Sequence, residues 1–276
     1  MKKGETIICY HSLEYYRIIK LLKKLKKIKL ILEVEEIYSD VIGNNRLRKR
    51  EISFLSLADG YIFSTELLNE EINFYKKPYI IVYGNYKNEK KFESLFNDNK
   101  IHVVYAGTFN QKKGGATIAV NTGRFLTSNY IVHILGFGNE KDTRNIKKLC
   151  NEVTKISEAK VIFEGLKSGD DFLKFLQSCD IGLSTQDPNA AYNNTSFPSK
   201  ILSYMSNGLR VVSIRIPAVE KSSISRNIYF YENQNPEDIA KTIISINLQS
   251  NYNSIKTIKK LDEMTVNNLK NFLHVI

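Results

Sequence analysis

Asn194-Thr195-Ser196-Phe197-Pro198-Ser199-Lys200-Ile201-Leu202-Ser203-Tyr204-Met205-Ser206-Asn207-Gly208, running on into Leu209-Arg210-Val211-Val212-Ser213, decides the reading of this chain. A polar loop tips through Phe-Pro into a short helix, which stops at Asn-Gly before a β-branched strand. Pro198 suits a first helical turn, and Asn207-Gly208 suits a C-terminal stop. The free N–H groups and dipole of such a helix start favour an anion, and Lys200 adds a full positive charge. The segment reads either as a cradle for a diphosphate or as an ordinary loop–helix–strand crossover.

Outward from this segment, short apolar runs alternate with stretches of helical period. Strands are predicted at Thr6–Tyr10, Lys29–Val34, Gly60–Ser64 and Tyr79–Tyr83. A second series follows at Ile101–Ala106, Tyr130–Leu135, Lys160–Phe163, Ile181–Leu183, Arg210–Ile214 and Ile228–Tyr231. Helical patterns fill most gaps, as at Gly115–Leu126, Asp142–Lys155, Asp170–Gln177 and Pro236–Ile246. Nearly continuous apolar strands alternating with helices predict an α/β protein with parallel sheets. The polar stretch Tyr86–Lys100 separates the two series as an interdomain linker. The first series offers four strands and lacks an opening strand–glycine turn–helix unit. It reads as a small lobe or as a larger domain entered partway, and the second expectation is preferred.

Composition narrows the function classes. The 276 residues carry a net charge of +11, which implies anionic company. No RRM, KH, helix-turn-helix or zinc-finger pattern accompanies that charge, so nucleic acid is not expected as a partner. The four histidines show no metal-binding spacing, and no metal site is expected. Three scattered cysteines fit a reduced, cytoplasmic setting. No run approaches the length of a membrane span. Arg17–Leu30 reads as a basic amphipathic helix with Ile18, Leu21, Leu22, Leu25 and Ile28 on one face. It suits a crossover packed on the sheet, or docking to an anionic membrane surface.

Two further loops carry phosphate chemistry. Tyr105-Ala106-Gly107-Thr108-Phe109-Asn110-Gln111-Lys112-Lys113-Gly114-Gly115 follows a strand and opens a helix. It can offer backbone N–H groups, the Thr108 hydroxyl and the Lys113 ammonium to a phosphate, or be a plain glycine turn. Gly136-Phe137-Gly138 ends the next strand, where open α/β sheets bind ligands. In the first lobe, Glu33-Val34-Glu35-Glu36 is an acidic cluster at a strand's carboxyl end. Alternation sends Glu33 and Glu35 to one face and Glu36 to the other. The cluster could orient an acceptor hydroxyl or stabilise positive charge on a sugar, or it is a solvated or cation-paired cluster. His11, after the first strand, is a candidate for the crevice or a structural histidine.

These pieces, in this order, resemble the donor-binding domain of retaining GT-B glycosyltransferases, the family 4 or group 1 class. The resemblance runs through Ala106-Gly107 to Lys113-Gly114, Leu135-Gly136-Phe137-Gly138, Val161–Gly165, Cys179–Leu183 and the FPSK-type segment Ser196–Val212. It covers roughly residues 100–245. Ala58–Thr65 and Tyr79–Asn85 resemble the later strands of the family's acceptor-side domain. The resemblance implies two Rossmann-like domains, at 1–86 (incomplete) and 100–250, with a terminal helix at 251–276 crossing back onto the first lobe.

The same resemblance implies a nucleotide-sugar as co-substrate without another cofactor, and a glycan or lipid-linked acceptor in bacterial surface polysaccharide assembly. Donor-binding residues would be Gly107, Thr108, Lys113, Gly136, Gly138, Thr195, Ser196, Phe197, Pro198, Ser199, Lys200, Ile201 and Ser203. Glu35, Glu36 and His11 would be the catalytic candidates. The chain departs from the family at Thr195 and Ser203, where two glutamates are usual, and at Thr108, where an arginine is usual. Those departures leave a second expectation open: a non-catalytic or split remnant that binds nucleotide-sugar or a partner chain supplying the missing N-terminal half.

Overall fold

The computed structural model describes residues 2–87, 89–110, 115–190, 193 and 195–276. Two parallel sheets are flanked by helices. The first sheet has the order β1-β2-β3-β4, from β1 (Thr6–Tyr10), β2 (Lys29–Val34), β3 (Gly60–Phe63) and β4 (Tyr79–Ile81). The second has the order β10-β9-β8-β5-β6-β7. Its strands are β5 (Ile101–Thr108), β6 (Tyr130–Phe137), β7 (Lys160–Gly165), β8 (Ile181–Ser184), β9 (Arg210–Ile214) and β10 (Ile228–Tyr231). The chain leaves β5 in one direction toward β7 and later returns to its other side with β8. That reversal opens a crevice at the carboxyl ends of β5, β6 and β8, where such sheets take ligands.

The helices follow their sequence signals. Helix α1 (Tyr16–Lys26) crosses from β1 to β2, and α2 (Tyr38–Ile42), α3 (Asn45–Leu55) and α4 (Glu66–Ile72) complete the first lobe. Around the second sheet lie α5 (Gly115–Thr122), α6 (Glu140–Ile156), α7 (Gly169–Gln177), α8 (Ser199–Ser206), α9 (Pro217–Glu220) and α10 (Pro236–Ile244). Asn139 caps α6 through the N–H of Asp142, and Asn235 caps α10 through that of Asp238. Helix α8 begins at Ser199, so Pro198 sits at its cap, one residue earlier than expected.

The packed face expected of the basic helix is corrected. Ile19 is the buried residue of α1, and Lys27 ends the helix in the left-handed region, leaving Ile28 in the connection to β2. Ile18, Leu21 and Leu25 are 56%, 53% and 62% exposed. The helix is held on the lobe by Ile19 and by Lys23, which bonds the Leu57 carbonyl and Asp59 just before β3. Only one side of α1 therefore finds a surface to pack on.

Helix α11 (Ser254–Val275) ties the lobes together. Its Ile258 and Leu261 join the core of the second domain, while Phe272 packs with Ile31 and Ile80 of the first sheet. Gly60 makes room for that end: a Cβ there would lie 2.0 Å from the Ile276 side chain. Three further contacts cross the crevice. The Thr65 hydroxyl donates to the Thr195 carbonyl at 2.8 Å, the Ser223 N–H donates to the Tyr83 hydroxyl at 2.8 Å, and Lys221 pairs with Glu70 at 2.9 Å. The linker is not loose either. Gln177 accepts the Phe92 N–H at 2.9 Å, and Ser178 accepts that of Leu95 at 2.8 Å.

Candidate functional site: a crevice between the lobes

Three cavities run side by side along the crevice. One, of about 480 Å³, is lined by Gly107, Thr108, Gly136, Lys167, Lys200 and Ser203 among others. The next, of about 380 Å³, brings Glu36 of the first lobe opposite Tyr105, Gly107, Ser196, Ser199 and Lys200. The third, of about 460 Å³, lies against the first sheet between Glu33, Glu35, Glu36, Ser64 and Asn85, with Ser196, Phe197 and Ser199 across it. Positive charge thus lines one end and carboxylates the other, with Ser199 and the start of α8 common to all three.

The backbone geometry explains the glycines. A Cβ on Gly136 would lie 1.7 Å from the Gly107 carbonyl oxygen, and its φ of +142° suits glycine alone. Gly107 leaves space for the Lys200 ammonium and the Tyr105 hydroxyl, each about 3 Å from where its Cβ would be. Lys200 rests over the Tyr105 ring, 4.3 Å from its centroid, so the cation is pre-aimed along the crevice.

The side chain that holds α8 in place was not singled out from the sequence. Tyr204 is fully buried, with its ring against Gly182. Its hydroxyl accepts the Ala106 N–H at 2.8 Å and donates to the Leu183 carbonyl at 3.2 Å, tying α8 to β5 and β8. Burial keeps that hydroxyl protonated far above its ordinary range. Its position one helical turn beyond Lys200 was the available signal. Lys167, in the loop after β7, was likewise missed, because nothing local marks a loop lysine as facing a cavity.

Several named candidates stand elsewhere. Ile201 is a core residue, and its N–H is taken by the Pro198 carbonyl at 3.0 Å. Thr195 is buried and turned to Thr65 of the first lobe. Gly138 packs against Phe109 and Asp142 rather than lining a cavity. Lys113 lies outside the described residues.

His11 does not line the crevice cavities. It is fully buried, stacked on Tyr38 at 4.7 Å, with Nε2 2.8 Å from Glu51 Oε1. Glu51 also accepts the N–H groups of Tyr38 and Ser39, so the pair anchors the start of α2. Burial alone would raise Glu51, but these donors outweigh it and hold the carboxyl below its usual range. At the acidic end, Tyr10 donates to Glu35 at 3.2 Å, and burial, with Glu35 nearby, raises Glu33.

Comparison with known proteins agrees with this architecture. Among solved structures, Anabaena HepE in complex with UDP superposes with a TM-score of 0.67 at 12% identity, covering 95% of this chain and 78% of that one. The UDP-forming α,α-trehalose-phosphate synthase of Burkholderia vietnamiensis gives 0.67 at 8% identity, covering 100% and 75%. The pneumococcal O-GlcNAc transferase GtfA, in complex with UDP and GlcNAc, gives 0.65 at 13%, covering 99% and 58%. No curated protein matches the sequence. The family model described as glycosyl transferases group 1 matches residues 100–247, more than half of the chain and the whole cavity-bearing second sheet. The chain belongs to the glycosyl transferases group 1 family.

Proposed function

We propose that the crevice binds a nucleotide-diphosphate sugar and transfers its sugar to a glycan or lipid-linked acceptor. One observation carries the reading: Lys200, at the start of α8, and the glycine-bordered ends of β5 and β6 share a cavity, while Glu36 of the opposite lobe faces the same space. The lysines and the helix start would meet the diphosphate, and Ser203 would lie near the ribose. Thr108 would join them at the diphosphate, and Ser196 and Phe197 would border the sugar. Glu35 and Glu36 would work from the acceptor side, by orienting a hydroxyl or by stabilising charge on the sugar ring. Complexes of HepE and GtfA with UDP support a uridine donor. We read the reaction as retaining from the resemblance to retaining GT-B enzymes, and as independent of a metal because lysines and backbone N–H groups can supply the charge the diphosphate needs. A role in bacterial surface polysaccharide assembly, at the inner face of the membrane, fits the exposed apolar stripe of α1 with its lysines.

A second reading is favoured by Thr195 and Ser203, which bring no carboxylate where the family usually has two. In that reading the chain binds the donor, or a partner chain, without turnover of its own. UDP-, GDP- and dTDP-sugars offered to the protein separate the two. Binding with transfer or hydrolysis supports the enzyme, binding alone supports the remnant, and the absence of any thermal shift with all three rejects the donor site.

A further inference from the structure

Four ionisable side chains, one from the linker and three from strands of the second domain, meet in one file. Asp98 Oδ1, in the linker, lies 2.9 Å from His102 Nε2 on β5. His102 Nδ1 lies 2.9 Å from His133 Nε2 on β6, and His133 Nδ1 lies 2.9 Å from Glu164 Oε1 on β7. Glu164 Oε2 in turn faces the Lys167 ammonium at 3.5 Å, and Lys167 lines the same cavity as Lys200. Both imidazoles are buried. Phe96 of the linker stacks on them at 3.9 and 5.1 Å, and Phe175 stands edge-on to His133.

A count of protons sets the charge of the file. Three contacts of hydrogen-bond length join four groups, and each takes one proton. Two neutral imidazoles bring two. If both carboxylates are ionised, neutral rings leave lone pairs facing each other at one contact. A third proton makes the rings an imidazole–imidazolium pair. From Asp98 to Lys167 the file then alternates minus, plus, minus, plus.

The surroundings favour this state at mildly acid pH. The His102 bond and the Lys100 N–H hold Asp98 below its usual range. Burial opposes ionisation of Glu164, but His133 and Lys167 outweigh it and hold that carboxyl low. Burial pulls His133 below its ordinary value, with Glu164 opposing, so the third proton is the one given up as pH rises. The other groups beside the file are the Asp180 carboxylate, which accepts the His102 backbone N–H, and Cys179, whose thiol burial keeps protonated.

We propose that Asp98, His102, His133 and Glu164 form a proton-holding file that positions Lys167 at the donor cavity and couples the interdomain linker to it. The proposal rests on the donor reading above. With three protons the file is closed and its charges balance through Lys167. With two, the half-exposed Asp98 end is the link that opens, because water can replace the imidazole there. Asp98 then faces water, and Glu164 keeps Lys167 as its one cation, so that ammonium is drawn to Glu164 and away from a diphosphate in the cavity.

The first test uses the wild-type protein without ligand. Nitrogen-15 NMR of labelled histidine counts the proton-bearing ring nitrogens of His102 and His133. The expected count is three near pH 5 and two near pH 8; two at both ends, or three at both, overturns the file. The second test measures affinity for UDP-glucose, GDP-mannose and dTDP-glucose, whose diphosphates have no proton to lose across that range. Affinity for whichever binds should fall about two- to five-fold as pH rises. Asp98→Asn, at the exposed end, should move that fall to lower pH. A flat profile alongside the three-to-two count overturns the positioning of Lys167. No binding of any donor at any pH overturns the donor reading instead, and the nitrogen count still decides the file.

Discussion

The Tyr204 hydroxyl receives the Ala106 N–H at 2.8 Å and gives its own proton to the Leu183 carbonyl, so one buried side chain joins α8 to two strands. Tyr204→Phe takes an acceptor from the Ala106 N–H and a donor from the Leu183 carbonyl, which costs about 1–3 kcal/mol. The melting temperature should fall by several degrees. Donor affinity should fall with it, because the start of α8 loses its tether. An unchanged melting temperature would show that α8 is held by packing alone.

Lys200 is the cation that the crevice presents at α8, and it is held from one side by the Tyr105 ring. Lys200→Ala should weaken nucleotide-sugar binding by about 2–3 kcal/mol, some 30- to 150-fold. Thermal stability without ligand should barely change. Titration calorimetry reads the first effect and scanning calorimetry the second. Equal affinity in both proteins would remove Lys200 from the diphosphate site.

Gly136 and Gly4 both have positive φ, but only Gly136 is crowded. Gly136→Ala must move the Gly107 carbonyl or break the β5–β6 register, and should destabilise by more than about 3 kcal/mol. Gly4→Ala meets open space and should cost only about 1–2 kcal/mol of backbone strain. Chemical denaturation of the two variants side by side checks the difference.

Glu51 sets an acid limit on the first lobe. Its folded carboxyl is held below the unfolded value, so its contribution is present above the unfolded value and is lost as pH falls through the folded one. Stability should therefore drop on acidification below about pH 4. Glu51→Gln should be less stable at neutral pH yet show a shallower acid limb. A wild-type acid limb of the same slope as the variant's would place the acid sensitivity elsewhere.

Exposed Leu21 and Leu25 on α1 make the membrane reading measurable. The protein should sediment with phosphatidylglycerol vesicles and less so with phosphatidylcholine ones, and high salt should release it. The double change Leu21→Glu, Leu25→Glu should abolish sedimentation while leaving the fold intact. Sedimentation that survives both changes would mean that α1 is not the contact.

Much of the fold was legible because its signals are local. Strand–helix alternation, Pro-Ser after Phe197 and Asn-Gly after Ser206 act within a few residues, and they predicted two parallel sheets and the start of α8 nearly where they stand. Gly107 and Gly136, marked by the same local pattern, stand side by side at the ends of β5 and β6, while residues 111–114 of the expected loop lie outside the described residues. The candidate site was less legible. Residues 195–203 share a loop and a helix start, but they serve different surfaces: the Ile201 side chain enters the core, the Thr195 carbonyl accepts from the other lobe, and Lys200 lines the crevice.

What the sequence by itself determined is the class of fold and the family pattern, because period, caps and turns are properties of contiguous residues. Only the tertiary structure decided which residues share a space. His11 lies 40 positions from Glu51, Tyr204 lies 98 from Ala106, and His102 lies 31 from His133. Parallel sheets bring such residues together through crossovers, so their meeting depends on strand order and register, which no local pattern encodes. The exposure of α1 has the same origin: its apolar stripe was plain in the sequence, but the packing of Ile19 and Lys23 on the lobe decided that Ile18, Leu21 and Leu25 face outward.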